Sequence, residues 1–207
     1  MKDQYKNIAK WYDKIFEPMN RGLRNIGFKM APVNKDMNVL DIGCGTGAHL
    51  RIYQKENCNI YGIDLSQAMI NVASCKLGKD AHLSLGSATN MEFEDNKFDL
   101  VLCSTVLHEM SQKVREEVLE EAKRVLKRTG HMLIIDFHPG PIKKIKGYIS
   151  KIIITISEIL AGSEHFKNYR QYMKNGGIPA IINMVGFIIE DYKIVSGGTF
   201  GVFVVRA

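Results

Sequence analysis

Ten residues constrain this chain more than any others: Asn38-Val39-Leu40-Asp41-Ile42-Gly43-Cys44-Gly45-Thr46-Gly47. Val39 to Ile42 is a short apolar run that reads as a buried strand. Three alternate glycines follow at once, and Ala48 to Glu56 has helix-forming composition. Glycine suits such a loop because the backbone must turn sharply and let a ligand approach with no Cβ in the way. A helix starting there points free N–H groups and the positive end of its dipole into the turn, so an anionic group belongs in it. The spacing is G-x-G-x-G with no lysine after it, which fits neither the G-x-G-x-x-G of dinucleotide binding nor a phosphate-cradling P-loop. A second acidic residue, Asp64, closes the apolar run Ile60-Tyr61-Gly62-Ile63, 21 residues after Gly43. A carboxylate at that distance reaches both ribose hydroxyls of a nucleoside. The pattern implies a nucleoside with a small anionic tail rather than a pyrophosphate.

Further motifs follow in order: Gly62-Ile63-Asp64-Leu65-Ser66, Gly86-Ser87-Ala88, Phe98-Asp99-Leu100-Val101-Leu102 and Arg124-Val125-Leu126-Lys127. With the glycine loop they resemble the class I S-adenosylmethionine-dependent methyltransferases over roughly residues 36 to 137. The resemblance implies S-adenosylmethionine as cofactor, contacted by Tyr12, Asp41, Gly43, Gly45, Gly47, Asp64, Leu65, Met69, Ser87, Ala88 and Ser104. It also implies that the pair Tyr12-Asp13 lies over the cofactor as part of a lid. Ser87 stands where many members carry Asp. A serine accepts a hydrogen bond from the adenine amino group more weakly than a carboxylate does. In the Tyr12-Asp13 region and the motif loop the chain resembles small-molecule, quinone and phospholipid methyltransferases of similar length.

The expected fold is α/β: a doubly wound, mostly parallel seven-stranded Rossmann-like sheet with an antiparallel last strand and a helical lid. Strands are predicted at 38–42, 59–64, 81–85, 98–104 and 130–137, and helices at 46–56, 66–78 and 111–127. Ser66 and Ser111 are the expected N-caps. With 207 residues the chain suits one domain. Its parts are an N-terminal helical lid at 1–31, a cofactor-binding core at 36–137, a helical insert at 141–186 and a β-hairpin at 187–207 around Ser196-Gly197-Gly198. Residues 4–30 read as one or two amphipathic helices. Ile8, Trp11, Tyr12, Ile15, Phe16 and Met19 form an apolar stripe, Lys2, Lys6, Lys10 and Lys14 form a row on another face, and Pro18 ends or begins a helix.

Cys44, Cys58, Cys75 and Cys103 show no C-x-x-C pairing and no histidine at metal spacing, which predicts reduced thiols, a cytoplasmic protein and no metal. The polar, basic N-terminus has no signal-peptide core. The net charge of +6 is uneven. Residues 1–29 carry seven basic against three acidic side chains, and residues 143–174 seven against two, leaving −3 for the rest. In the insert, Ile142, Ile145, Ile149, Ile152, Ile156 and Ile159 recur at helical spacing, with Lys143, Lys144, Lys146 and Lys151 off the stripe. The run is too short and too charged to span a bilayer. It reads either as a peripheral membrane-surface helix or as isoleucines packed on the domain beside solvated lysines.

Methyl transfer from a sulfonium is an in-line displacement, for which orientation alone supplies about 7–11 kcal/mol. A general base is needed only when the nucleophile must lose a proton. His108, His138 and His165 are the candidates, with Tyr169 as an orienting group; for each the alternative is a structural or substrate-contact role. The expected acceptor is a small molecule or lipid-like compound of phospholipid-headgroup or quinone type, methylated without a metal and so insensitive to chelation. An RNA methyltransferase is the alternative, disfavoured because Ser104-Thr105-Val106-Leu107 stands where amino-methylating enzymes carry an Asn/Asp-Pro-Pro-aromatic box. A non-catalytic S-adenosylmethionine-binding protein is the third reading.

Overall fold

The computed structural model describes residue 3 and residues 5–207, except for the side chains of Ile15, Pro18 and Met19. Lys2 of the basic row, and those three side chains of the stripe and its break, lie outside the described residues. In chain order the elements are α1 (Ala9–Met30), β1 (Asn38–Ile42), α2 (Leu50–Gln54), β2 (Asn59–Asp64), α3 (Gln67–Leu77), β3 (His82–Leu85), β4 (Phe98–Ser104), α4 (Gln112–Val125), β5 (Leu126–Phe137), α5 (Lys144–Leu160), α6 (Ser163–Lys174), α7 (Gly177–Val185), β6 (Ile188–Val195) and β7 (Phe200–Arg206).

The sheet has seven strands in the order β3-β2-β1-β4-β5-β7-β6, and β7 runs antiparallel between β5 and β6. Strands β1 to β5 pair in parallel. Helices α1, α2 and α3 pack on one another, as do α4, α6 and α7, and the two groups cover the sheet. The apolar runs that marked β1 and β4 are buried on both faces, as parallel central strands must be. Ser66 Oγ accepts from Met69 N–H and Ser111 Oγ from Val114 N–H, so the two serines cap α3 and α4 as expected. The strand order reverses between β1 and β4, and a crevice opens there beyond their carboxyl ends.

Three expectations need correction, and one open alternative narrows. The helix over 46–56 shrinks to the five residues of α2, because positive φ at Gly45 and Gly47 keeps the preceding stretch in turns. So short a helix has little dipole to offer. Helix α1 is one helix and passes position 18 without a break. Packing on the sheet overrides the proline signal: at Gly27 a Cβ would stand 2.8 Å from Leu133 Cδ2. Trp11 is not on the buried stripe but exposed, with Lys14 Nζ 4.4 Å from its ring centre. The alternative concerns the insert's isoleucine stripe: Ile145, Ile149, Ile152, Ile156 and Ile159 are exposed rather than packed on the domain.

These residues lie on α5. Its inward residues are Gly147, Ile154 and Glu158, flanked by half-buried Ser150, Thr155 and Ser157. Its outward residues include Ile145, Ile149, Ile152, Ile153, Ile156 and Leu160, exposed by 52 to 81%. The helix is amphipathic with its apolar side turned away from the protein. Lys143, Lys144, Lys146 and Lys151 are exposed beside that face. No helix among the described residues is long and apolar enough to cross a membrane.

Candidate active site

The glycine loop is held open by backbone geometry. Gly43, Gly45 and Gly47 have φ of 68°, 51° and 72°. A Cβ on Gly43 would meet Val106 Cγ2 at 2.9 Å, whereas one on Gly45 would meet nothing within 4 Å. The space over Gly45 belongs to the crevice. Asp64, at the end of β2, is fixed beside it: Oδ2 accepts from Gly45 N–H and Oδ1 from Ser66 N–H, both at 2.8 Å. Burial pushes the Asp64 carboxyl up, partly offset by these two hydrogen bonds. Each oxygen keeps a further lone pair for a hydroxyl.

Below the loop, Asp41 is fully buried and its Oδ1 has no hydrogen-bond partner. Burial raises its pKa to about 8 despite the nearby Arg24 guanidinium. An unpartnered carboxylate oxygen at the wall of a crevice suits a cationic ligand group such as an α-ammonium. Arg24 reaches in from α1 to line the crevice, and its guanidinium pairs with Glu17.

Tyr12, Asp41, Gly43, Gly45, Asp64, Leu65, Met69, Ser87, Ala88 and Ser104 all line this one crevice. Gly47 does not; a Cβ there would stand 2.7 Å from Leu77 Cδ1, so it serves close packing of the loop on α3. Ser87 Oγ pairs with Thr89 Oγ1 at 2.9 Å. Ser104 Oγ pairs at 2.9 Å with Nδ1 of His49, whose burial depresses its pKa to about 3 and keeps it neutral. Asp13 does not face the crevice. It accepts from Thr46 Oγ1 at 2.6 Å and pairs with Lys76, which ties α1 to the glycine loop and α3.

A second cavity of about 310 Å³ adjoins the first. Tyr5, Tyr12, Thr105 and Glu109 line both, so they form the partition. Beyond it stand His108, Glu158 and His165, with Ile8, Phe16 and Leu160 at the apolar side. His108 sits in the 3₁₀ turn Leu107–Glu109 after β4 and is 3% exposed. Its Nδ1 lies 2.6 Å from Asp136 Oδ1, and Asp136 Oδ2 accepts from the N–H groups of Leu107 and His108. Burial works against the imidazolium, but Asp136, Glu109 and Glu158 outweigh it and lift the His108 pKa to about 9. His165 is raised as well, its burial outweighed by Glu158 and Glu109. Tyr5 Oη donates to both oxygens of Glu109 at 3.0 and 3.1 Å.

Of the four predicted catalytic residues, His108 and His165 therefore meet in the second cavity. His138 and Tyr169 do not line it. His138 Nδ1 accepts from Gly140 N–H at 3.2 Å in a small separate space, and Tyr169 is buried beside it with its ring 5.5 Å from Phe137. Sequence reasoning missed Tyr5, Arg24, Glu109, Asp136 and Glu158. Only Glu109, next to His108 after a strand end, carried a usable signal. Asp136 reads as an interior strand residue, and the others lie far from any motif.

Residues 40–134 match the family model described as a methyltransferase domain. The chain is 27% identical to a ubiquinone/menaquinone biosynthesis C-methyltransferase of Campylobacter jejuni, over 99% of this chain and 96% of that one. It is 28% identical to a demethylmenaquinone methyltransferase of Thermotoga maritima, over 80% and 76% of the two chains. In fold it is similar to the crystal structure of an S-adenosylmethionine-dependent methyltransferase from Aquifex aeolicus, with a TM-score of 0.64, 23% identity and 89% of each chain covered. The crevice fits the cofactor that this family uses: space over Gly45, a fixed carboxylate at Asp64 and an unpartnered one at Asp41. Residues 40–134 thus form a methyltransferase domain with S-adenosylmethionine as its cofactor, in a chain that has the fold of such enzymes.

Proposed function

We propose that the enzyme methylates a ring carbon of a quinone-type, lipid-like acceptor that reaches the second cavity from an anionic membrane surface. The observation that carries this reading is α5, whose apolar face is turned outward between lysines and whose last residue, Leu160, lines the second cavity. An apolar helix face flanked by cations suits an anionic lipid interface, where each lysine contributes about 1 kcal/mol. Ile8 and Phe16 of the N-terminal segment continue the apolar lining inward. The named activities of the two quinone-pathway relatives support the same acceptor class. An RNA acceptor would leave the exposed isoleucines of that face without a partner, and a purely cofactor-binding role leaves the second cavity without a purpose.

In this reading Asp64 holds the ribose hydroxyls, Asp41 the ammonium and Arg24 the carboxylate of the cofactor, with Leu65, Met69, Ser87 and Ala88 around the adenine. The chemistry supplied by bound S-adenosylmethionine is an electrophilic methyl group on sulfur. Tyr5, Tyr12 and Thr105, which form the partition, hold the acceptor ring in line and exclude water, which is where an orientation term of about 7–11 kcal/mol comes from. The ring hydroxyl faces His108 and His165. Loss of its proton sends electron density to the ring carbon; that carbon forms the new C–C bond as the S–C bond breaks, and the ring then sheds the displaced hydrogen as a proton.

Methyl-labelled cofactor offered with a demethylated naphthoquinol in anionic vesicles, with RNA and with water-soluble phenols tests this. The label should enter a ring carbon of the naphthoquinol, as one added methyl group per product. Label confined to RNA, or to soluble phenols, would overturn the acceptor assignment.

A further inference from the structure

The sequence shows no metal-ligand spacing, yet the fold assembles one. His108 follows β4, Glu158 lies on α5 and His165 on α6, and one ligand atom from each falls within 4.8 Å of the others. His108 Nε2 is 3.7 Å and His165 Nε2 is 2.8 Å from Glu158 Oε2. Four-coordinate zinc with ligands about 2.0–2.2 Å away holds them about 3.3 Å from one another, so these atoms surround a metal-sized space after small adjustments. We propose that His108, Glu158 and His165 bind one divalent transition metal of zinc type, with Asp136 as the residue that positions His108.

Three further observations support the site. His108 Nδ1 faces Asp136 Oδ1 at 2.6 Å, which holds a proton on Nδ1, so Nε2 is the nitrogen whose proton a metal would displace. A carboxylate behind a metal-binding histidine is the usual partner that fixes ring and tautomer. Asp136 is itself locked, fully buried and taking two backbone N–H groups on its other oxygen. Glu158 is 6% exposed, and the neighbours of its Oε2 are the two histidine nitrogens, with no backbone or hydroxyl donor among the described residues. A buried carboxylate costs free energy unless a cation takes it, a part that a metal between the three side chains would fill. Two histidines and one glutamate also leave a coordination position open, as catalytic zinc sites do. Glu109 is a neighbour of the site, with Oε1 4.0 Å from His108 Nε2, and Tyr5 holds it in place.

Binding of the metal follows from this geometry alone. Its role rests on the acceptor reading above: a metal held by these residues would take the ring oxygen at its open position and make the O–H more acidic, the proton passing out to bulk solvent. The enzyme, stripped with a chelator and dialysed, is titrated with Zn²⁺ and with Co²⁺ in the absence of cofactor and acceptor. Bound metal is counted by mass spectrometry, and Co²⁺ coordination is read from its visible spectrum. Cys75→Ser serves as background, because Cys75 is an exposed free thiol. The expected result is one equivalent per chain with a tetrahedral Co²⁺ spectrum. His165→Ala and Glu158→Gln should bind at least about a hundredfold more weakly, and Asp136→Asn about 10–100-fold more weakly. His165 is the least buried ligand, so its variant remains informative if a core variant fails to fold. Binding well below one equivalent, or equal binding by His165→Ala, would overturn the site. Stoichiometric metal with naphthoquinol methylation unchanged by stripping would overturn its role and leave the acceptor reading standing; metal binding without any naphthoquinol methylation would do the reverse.

Discussion

The glycine-loop crevice and the face of α5 are built on opposite rules. In the crevice every apolar residue of β1 and β4 is buried, Asp64 is fixed by two short hydrogen bonds, and the empty space lies over a glycine. On α5 small and polar residues point inward and, Ile154 apart, the isoleucines point out. A helix that contributed mainly to stability would be turned the other way, since burying an isoleucine yields about 1.5–3 kcal/mol. The difference separates what the chain needs for folding and cofactor binding from what it keeps available for an external surface.

The largest effect that could break this division is at Asp64. Asp64→Ala removes the carboxylate beside the loop, and two hydrogen bonds to charge are worth about 3–6 kcal/mol, so cofactor affinity measured by calorimetry should fall at least about a hundredfold. Unchanged affinity would detach the crevice from the cofactor. A similarly large contrast concerns stability. Leu102→Ala in β4 should cost about 2–5 kcal/mol in denaturant unfolding, while Ile149→Ser, Ile152→Ser and Ile156→Ser should each stay within about 0.5 kcal/mol. Equal losses would mean that α5 packs on the domain after all.

A smaller effect sharpens the crevice. Burial holds the Asp41 carboxyl at about 8, above the ordinary value of 3.8. Between those values the folded protein keeps a proton that the unfolded chain has released, so stability falls as pH rises through the window. Without cofactor, Asp41→Asn should lose less thermal stability than the wild type between pH about 5 and about 8. Parallel pH profiles would contradict the buried, unpartnered carboxyl.

How much the sequence revealed follows the same division. Strand β1, the loop, Asp64 and the caps Ser66 and Ser111 were legible because each is fixed by neighbours within a few residues or by one βαβ unit. The length of α2 was not, since glycine φ values decide it and composition does not. The cluster of His108, Asp136, Glu158 and His165 joins four separate parts of the chain, so no spacing could announce it. The spacing of the α5 isoleucines predicted the helix correctly but not which way it faces, because periodicity defines a stripe and packing decides whether it is covered.

The most direct measurement is co-sedimentation with vesicles. The wild-type protein should pellet with anionic liposomes at low salt and be released at high salt, as screening shortens the reach of the α5 lysines. The combined Ile149→Ser, Ile152→Ser and Ile156→Ser variant, still folded, should remain in the supernatant at both. Wild-type protein that stays in the supernatant at low salt would contradict the account: α5 would then meet no lipid, and the acceptor would have to arrive through water.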